Sequence, residues 1–190
     1  MIGNDVIDLQ LAAVQSNWQR PGFREKIFTE GENRLVDDAE DPFGTVWRLW
    51  SMKESAYKAY VRLHPTRFFD PKKLHCSLLG NGCGEVQVGG YSFRTETSCE
   101  QERLYTTAVA GKEPLLMGAC FTIPDREDAS RYCHQRLRAH CADRWSVLEE
   151  QLRIEKTDQG VPTITCGSTH ESRAISISHH GRFGAYTIQR

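Results

Sequence analysis

One segment, running from Asp41 to Leu63, constrains the fold more than any other; it reads DPFGTVWRLWSMKESAYKAYVRL. Asp41 suits the N-cap of a helix, and Pro42 suits its first position, where no backbone N–H is needed. At about 100° per residue, the apolar side chains fall on two opposite faces of this predicted helix. One face carries Trp47, Trp50, Glu54, Lys58 and Val61, and the other carries Leu49, Met52, Ala56, Tyr60 and Leu63. A helix that is apolar on two sides packs on two sides, so we expect it to be central.

Glu54 is the exception on the tryptophan face, because it places a carboxylate among apolar side chains. Removing a carboxylate from water costs several kcal/mol unless a cation, hydrogen bonds or a metal compensates it. One explanation is a helical ion pair with Lys58, four residues on, which contributes about 0.3–0.5 kcal/mol. The other is a metal ligand, which leaves Lys58 and Lys53 free to meet an anion. The helix alone leaves both explanations open.

Composition excludes several classes of protein. A net charge of −1 over 190 residues gives no electrostatic footprint for nucleic acid. No apolar run is long enough to span a bilayer, and the N-terminus lacks a basic leader followed by an apolar stretch, so we expect a cytoplasmic protein without a membrane partner. The seven cysteines are an odd number without a C-x-x-C pair. This pattern indicates reduced thiols rather than disulfides or a zinc site.

The order of the predicted elements in the first half indicates an α+β fold. A short buried strand, Ile2 to Leu9, carries Asp5 and Asp8, for which turn or capping roles are open. Thr29 and Glu32 have the spacing of a capping box, which explains Glu32 structurally. After the central helix, alternating residues up to about residue 111 predict an antiparallel meander that packs on this helix.

The second half predicts a similar succession. A strand from Leu115 to Ile123 is followed by a long amphipathic helix and then by strands that end at Ile188. His134 and His140 lie on this helix, and because neither has a partner at ligand spacing, we expect both at the surface. Residues 1–111 and 112–190 thus form two similar halves, which we expect to act as one functional unit.

Four separated motifs occur in a fixed order along the chain. They are G-N-D-V-I-D-L from Gly3, F-T-x-x-E from Phe28, W-S-M-K-E-S-x-x-K from Trp50 and S-I-S-H from Ser176. Together they resemble the 4′-phosphopantetheinyl transferase superfamily, in the motif order of holo-acyl-carrier-protein synthases but in a longer chain. The resemblance implies Mg²⁺-dependent transfer of phosphopantetheine from coenzyme A to a serine of an apo acyl or peptidyl carrier protein, releasing adenosine 3′,5′-bisphosphate. Such carriers serve fatty acid, polyketide or nonribosomal peptide biosynthesis.

The resemblance also implies roles for five side chains near the metal. Asp5 and Glu54 are the implied metal ligands, and Asp8, which stands where the G-x-D-x-x-E pattern carries its second acid, is a further candidate ligand. Glu54, or a water that it orients, is the implied base for the serine proton. Lys58 would then steady or protonate the leaving group, and Lys53 would hold a phosphate. Mn²⁺ suits the same oxygen ligands and is the alternative cation.

The S-I-S-H motif resembles the coenzyme A element of the family, which implies that Ser178 and His179 bind this co-substrate. A second family element, G-K-P, is represented here by Gly160, Val161 and Pro162, without its lysine. Other cations must then meet the adenosine phosphates. The candidates are Lys156, Arg173 and Arg182.

Length distinguishes this chain from the trimeric synthases of the family, which are shorter and complete their sites between subunits. We expect a monomer with two halves related by a pseudo-two-fold axis, so that His179 faces Asp5 and Glu54 across a cleft for coenzyme A. The alternative is a non-catalytic relative that only binds coenzyme A or a carrier protein. A second alternative is a helical interaction module that uses the Trp47 and Trp50 face and needs neither metal nor coenzyme A.

Overall fold

A computed structural model describes residues 1–64, 68, 70–111, 116–157, 160–167 and 171–189. Within these ranges the chain forms an α+β fold with two five-stranded antiparallel sheets, which confirms the predicted fold class. The boundary predicted between the halves adjoins residues 112–115, which lie outside the described ranges. None of the helices in the described ranges has the length and apolar character needed to cross a membrane.

The first half contains the first sheet and most of the helices. Its elements are β1 (Ile2–Asp8), α1 (Leu9–Gln15), α2 (Phe23–Ile27), α3 (Glu30–Asp37), α4 (Pro42–Tyr60), a short 3₁₀ helix (Pro71–Lys73), β2 (His75–Gly80), β3 (Cys83–Val88), β4 (Tyr91–Glu100) and β5 (Arg103–Ala110). Strands β2 to β5 form a meander, and β1 pairs with β5, so the sheet order is β1-β5-β4-β3-β2. Strand β1 is therefore at the edge of its sheet.

The second half repeats this topology around a single α-helix in its described part. Its elements are β6 (Leu116–Thr122), α5 (Ala129–Trp145), a short 3₁₀ helix (Glu149–Gln151), β7 (Leu152–Lys156), β8 (Pro162–Cys166), β9 (Ser172–His180) and β10 (Phe183–Gln189). The sheet order is β6-β10-β9-β8-β7. In each half the first strand pairs with the last, so the two halves share one strand order.

Helix α4 begins as its sequence predicts. Asp41 accepts a hydrogen bond from the backbone N–H of Gly44 at 2.9 Å, and Pro42 occupies the first helical position. The helix ends at Tyr60, before the predicted Leu63. Both of its apolar faces supply buried side chains to the first core: Val46, Trp47, Leu49, Met52, Ala56 and Ala59. The predicted central position of this helix is therefore confirmed.

Strand β1 crosses α4 at close range, and Gly3 is the residue that permits this approach. A Cβ atom on Gly3 would lie 2.0 Å from the backbone oxygen of Ser55 and 2.9 Å from the backbone nitrogen of Ala59. Because backbone atoms cannot move aside like a flexible side chain, a larger residue does not fit. The approach places Asp5, two residues along β1, beside Lys58 of the helix.

The two halves are held together along β1. Val6 packs with side chains of β10 in a small buried cluster. Arg62, just after α4, donates to the carbonyl oxygens of Ile2 at 3.1 Å and Pro162 at 3.0 Å, and also to that of Ile175. Burial lowers the pKa of Arg62 to about 10, so its guanidinium remains charged at neutral pH. This single cation therefore connects β1 to both β8 and β9.

Candidate functional site

A cleft of about 380 Å³ lies between α4 and the second half. The C-terminal part of α4 forms its first wall, and residues of α5, β7, β8 and β9 form its second wall. Ionisable side chains line both walls: Glu54, Lys58 and Arg62 on the first, and His134, Lys156 and His179 on the second. The W-S-M-K-E-S-x-x-K and S-I-S-H motifs, far apart in sequence, therefore meet in one cleft.

Lys58 connects the first wall to strand β1. Its ammonium donates to Oδ1 of Asp5 at 3.1 Å and to the backbone carbonyl of Asn4 at 2.8 Å. Both side chains of the ion pair are partly shielded from water. The structure therefore makes Asp5 and Lys58, two of the predicted site residues, direct neighbours.

Glu54 lies on α4 one turn before Lys58 and lines the same cleft. Burial raises the pKa of Glu54, the negative charge of Asp5 raises it further, and the positive charge of Lys58 partly opposes both effects. Among the residues that the structure describes, no cation forms an ion pair with Glu54, since Lys58 pairs with Asp5. The simple helical ion pair is therefore not the arrangement found. The site instead contains two carboxylates that repel each other.

Asp5 and Glu54 are a pair of oxygen donors whose chemistry fits Mg²⁺ or Mn²⁺. In the described part of the chain, no group of three or more histidine, cysteine, aspartate or glutamate residues is placed to hold a metal ion. Two carboxylates are sufficient for Mg²⁺, which keeps several waters and commonly adds phosphate oxygens of a substrate. The raised pKa of Glu54 agrees with this fit, because a cation between the two carboxylates would relieve their repulsion.

Asp8 does not belong to this pair. It is 1% exposed, and its two oxygens accept hydrogen bonds at 2.8 Å from the guanidinium of Arg182. Oδ1 also caps α1 by accepting from the backbone N–H of Leu11. The contact with Arg182 holds the pKa of Asp8 well below its usual range. Residues three apart on a strand face opposite sides, so Asp8 points away from Asp5, and its predicted role as a metal ligand is corrected to an ion pair between the halves.

Lys53 does not line the cleft either. It is 1% exposed, and its ammonium donates to Glu32 Oε1 at 2.8 Å, to the carbonyl of Pro71 at 2.9 Å and to the carbonyl of Leu74. Glu32 also completes the predicted capping box with Thr29. All three N–H donors of the ammonium are used. The predicted phosphate contact of Lys53 is therefore corrected to a buried ion pair that joins α3, α4 and the start of β2.

The S-I-S-H motif on β9 is divided between the cleft and the interface of the halves. His179 is exposed and lines the cleft. Ser178 is buried, and its Oγ accepts a hydrogen bond from the side-chain amide of Asn4 at 3.0 Å. Successive residues of a strand face opposite sides, and Ser178 is not among the residues that line the cleft. The predicted coenzyme A contact of Ser178 is therefore corrected to a contact between the halves.

The second wall contains a cluster of positive charge that the sequence did not reveal. Burial lowers the pKa of His134, and the positive charges of Lys156, Arg138 and His179 lower it further, while Asp128 opposes them. His134 is half-buried in the cleft, so its expected surface position is corrected. Spacing along α5 gave no sign of this, because two of its charged neighbours come from β7 and β9. The result is a wall suited to an anion.

Lys156 is the predicted adenosine-phosphate cation that lines this cleft. Arg173 pairs with Glu171 at 3.0 Å, and Arg182 is held in the ion pair described above. Val161, which replaces the family lysine, lines the cleft as well. Lys156 therefore supplies positive charge to the same cleft in which that lysine is missing.

The fold and the cleft define a class of protein: an α+β domain of two like halves, with Glu54 and Lys58 on one wall of the cleft between them and His134, Lys156 and His179 on the other. The model of one family, ACPS, the 4′-phosphopantetheinyl transferase superfamily, matches residues 1–111, more than half of the chain. The chain belongs to this superfamily, and the membership predicted from its motifs is confirmed. No curated protein matches the chain.

Two of the solved structures that match the chain are holo-[acyl-carrier-protein] synthases. Holo-[acyl-carrier-protein] synthase (AcpS) of Thermotoga maritima is 16% identical with a TM-score of 0.46, and the match covers 84% of this chain and 79% of that one. Holo-[acyl-carrier-protein] synthase (AcpS) of Neisseria meningitidis is 18% identical with a TM-score of 0.45, covering 58% of this chain and 97% of that one.

Proposed function

We propose that this protein is a 4′-phosphopantetheinyl transferase that moves phosphopantetheine from coenzyme A to a serine of an apo carrier protein. The observation that carries the proposal is the division of charge across one cleft. Glu54, Lys58 and Arg62 line one wall, where Lys58 also pairs with Asp5, and two histidines and a lysine line the other. Coenzyme A has a pyrophosphate and a separate phosphate on its ribose, so it requires charge compensation at two places. This cleft provides both.

Asp5 and Glu54 are the residues that would hold Mg²⁺, or Mn²⁺ as the alternative. When bound, the cation would act as a Lewis acid on the pyrophosphate oxygens. Lys58 adds a fixed positive charge, because its bonds to Asp5 and to the Asn4 carbonyl hold the ammonium at the cleft edge. A fixed charge of this kind favours the oxygen that becomes negative as the bisphosphate leaves.

Glu54 would accept the proton of the attacking serine, directly or through a water. Its raised pKa suits this task, because such a carboxylate binds a proton more readily than an exposed one. As the serine oxygen forms its bond to phosphorus, the bond from phosphorus to the bridging oxygen breaks. Lys58, one turn further along α4, would donate a proton to that leaving oxygen.

His134, Lys156 and His179 would hold the adenosine phosphates on the opposite wall. The lowered pKa of His134 reflects its burial and the repulsion among these groups. An anion between them would remove that repulsion, so its binding is favoured. This arrangement accounts for the missing lysine of the G-K-P element, since Lys156 supplies the charge from a neighbouring strand.

Both walls come from one chain, so we infer that the active form is a monomer. We place its reaction in the cytoplasm, with acyl or peptidyl carrier proteins of fatty acid, polyketide or nonribosomal peptide biosynthesis as partners, and without nucleic acid or membrane. Light scattering at the working concentration of the enzyme tests the assembly. A stable trimer whose activity falls on dilution would contradict it.

Intact-mass analysis tests the reaction itself. The chain is incubated with coenzyme A, Mg²⁺ and a panel of apo carrier proteins, and we expect at least one carrier to gain a single phosphopantetheine group. Omitting Mg²⁺ should prevent the gain, and replacing it with Mn²⁺ tests the alternative cation. Coenzyme A binding without modification of any carrier would favour a non-catalytic relative. Neither binding nor modification would favour an interaction module and would refute the proposal.

A further inference from the structure

Side chains of β9 cap the free edge of β1, where the two halves meet. The backbone N–H of Asn4 donates to Oγ of Ser176 at 2.9 Å, and its side-chain amide donates to Oγ of Ser178 at 3.0 Å. Further along the same edge, the backbone N–H of Asp8 donates to Nδ1 of His180 at 3.0 Å. Ser176, Ser178 and His180 alternate along β9 and therefore lie on one face of that strand. We call this set of contacts the seam.

Two backbone carbonyls on the same edge of β1 accept hydrogen bonds from cationic side chains, one within α4 and one just after it. The carbonyl of Asn4 accepts from Lys58, and the carbonyl of Ile2 accepts from Arg62. An exposed strand edge normally offers such groups to another strand. Here side chains take the place of that strand, and one of them is the lysine of the proposed reaction.

Two of the seam residues, Asn4 and Ser178, directly precede residues of the site along their strands. Asp5 follows Asn4 on β1 and faces α4, while His179 follows Ser178 on β9 and faces the cleft. Because each pair consists of chain neighbours, any shift of Asn4 relative to Ser178 also moves Asp5 relative to His179. The width of the cleft is therefore tied to the seam.

Stability alone does not require a polar seam. Asn4 is fully buried, and Ser176 and Ser178 are buried as well. Apolar replacement of a whole buried polar set is often neutral for stability, because hydrophobic packing covers the same area. Apolar packing is non-directional, however, and permits two surfaces to slide. Directional hydrogen bonds instead select one register of β1 on β9.

We propose that Asn4, Ser176 and Ser178 are positioning residues that set the distance between the carboxylate wall and the His179 wall of the cleft. This inference rests on the proposed function, because that distance matters for a ligand held by both walls at once. Ser178, which does not line the cleft, thus acts through the strand and not by touching coenzyme A, whereas the buried Ser176 borders the cleft and also accepts from the backbone N–H of Asn4. A displacement of about 1 Å in such a site can cost about 10²-fold in rate.

The test is the double variant Asn4→Ala/Ser178→Ala, which removes both partners of the side-chain bond and so leaves no half of it unpaired. The matched control is Tyr105→Phe/Thr187→Val, which removes another bond between the halves, at 2.6 Å, away from the cleft. Transfer kinetics, coenzyme A affinity by calorimetry and urea unfolding are measured for both. Ser178→Thr keeps the hydroxyl and serves as the conservative variant.

We expect the seam variant to lose about 10²-fold in kcat/KM for coenzyme A, while its unfolding midpoint stays close to that of the control. The control and Ser178→Thr should transfer like the wild type. Kinetics of the folded seam variant equal to those of the wild type, or an equal loss in the control, would overturn the inference. If the wild type binds coenzyme A but modifies no carrier, the proposed reaction is refuted. The coenzyme A affinities of the seam variant and the control then still decide whether the seam sets the distance between the walls of the cleft.

Discussion

Replacing Lys53 with methionine separates the role that its motif implies from the role that its contacts indicate. Methionine keeps a long apolar side chain but removes the ammonium and its three hydrogen bonds. Glu32 would remain 2% exposed, with hydrogen bonds at 2.8 Å from the backbone N–H groups of Thr29 and Cys76 but without its cation. The variant therefore leaves an uncompensated charge in the core.

The expected cost follows from this burial. Removing one partner of a buried ion pair costs about 3–5 kcal/mol, which is a large part of the roughly 5–15 kcal/mol that stabilises an ordinary domain. With a slope of about 2 kcal/mol per molar urea, the unfolding midpoint should fall by about 2 M. Adding Glu32→Gln to Lys53→Met removes the stranded charge, so we expect part of the loss to be recovered.

Urea unfolding followed by tryptophan fluorescence measures the change, and calorimetry at low urea measures coenzyme A affinity of the folded variant. The control is Lys73→Met. Lys73 is exposed, and its ion pair with Asp70 is long, at 3.7 Å, so its loss should change stability by less than about 0.5 kcal/mol. We expect Lys53→Met to lose stability and to keep its affinity. A variant with wild-type stability and lost coenzyme A affinity would refute the structural role and would support the phosphate contact that the motif implies for Lys53.

Three further outcomes follow from the site. Glu54→Gln should lower transfer by about 10²- to 10⁴-fold without loss of stability, since the amide is a poor ligand and no base and the buried position already disfavours the charge; an active variant in the mass assay would contradict this. Lys58→Ala should reduce turnover far more than coenzyme A affinity, because its charge acts on the leaving oxygen; equal losses would make it a simple anchor. Arg182 lowers the pKa of Asp8 in the folded chain, so this pair stabilises above about pH 5 and the stabilisation is lost as the pH falls through about 4 and below. The difference in unfolding free energy between wild type and Asp8→Asn should therefore shrink between about pH 5 and pH 3, and a constant difference would argue against the pair.

Local patterns predicted the central helix and its environment well. The cap at Asp41, the proline after it and the two apolar faces act within a few residues of each other, so they are readable from the sequence and are found in α4. The capping box of Thr29 and Glu32 is found for the same reason. The shared strand order of the halves also agrees with the similar succession of elements predicted for them from the sequence.

Some errors were avoidable from periodicity alone. Asp5 and Asp8 are three residues apart on one strand, and Ser178 and His179 are adjacent on another, so neither pair can share a face. The motif grouped them because motifs record the order of residues and not their direction. Alternation was the signal that would have assigned Asp8 and Ser178 to the interface.

The sequence by itself determined which residues are chemically able to act: the carboxylates, the lysines and the histidines of the motifs. Only the tertiary structure decided which of them meet. The ammonium of Lys53 is bound by acceptors from α3 and from Pro71 and Leu74, just before β2, and not by a phosphate. His134 lies in the cleft because β7 and β9 pack beside α5. Local structure depends on neighbours within one or two turns, whereas burial, pairing and pKa depend on groups brought together by folding from distant parts of the chain.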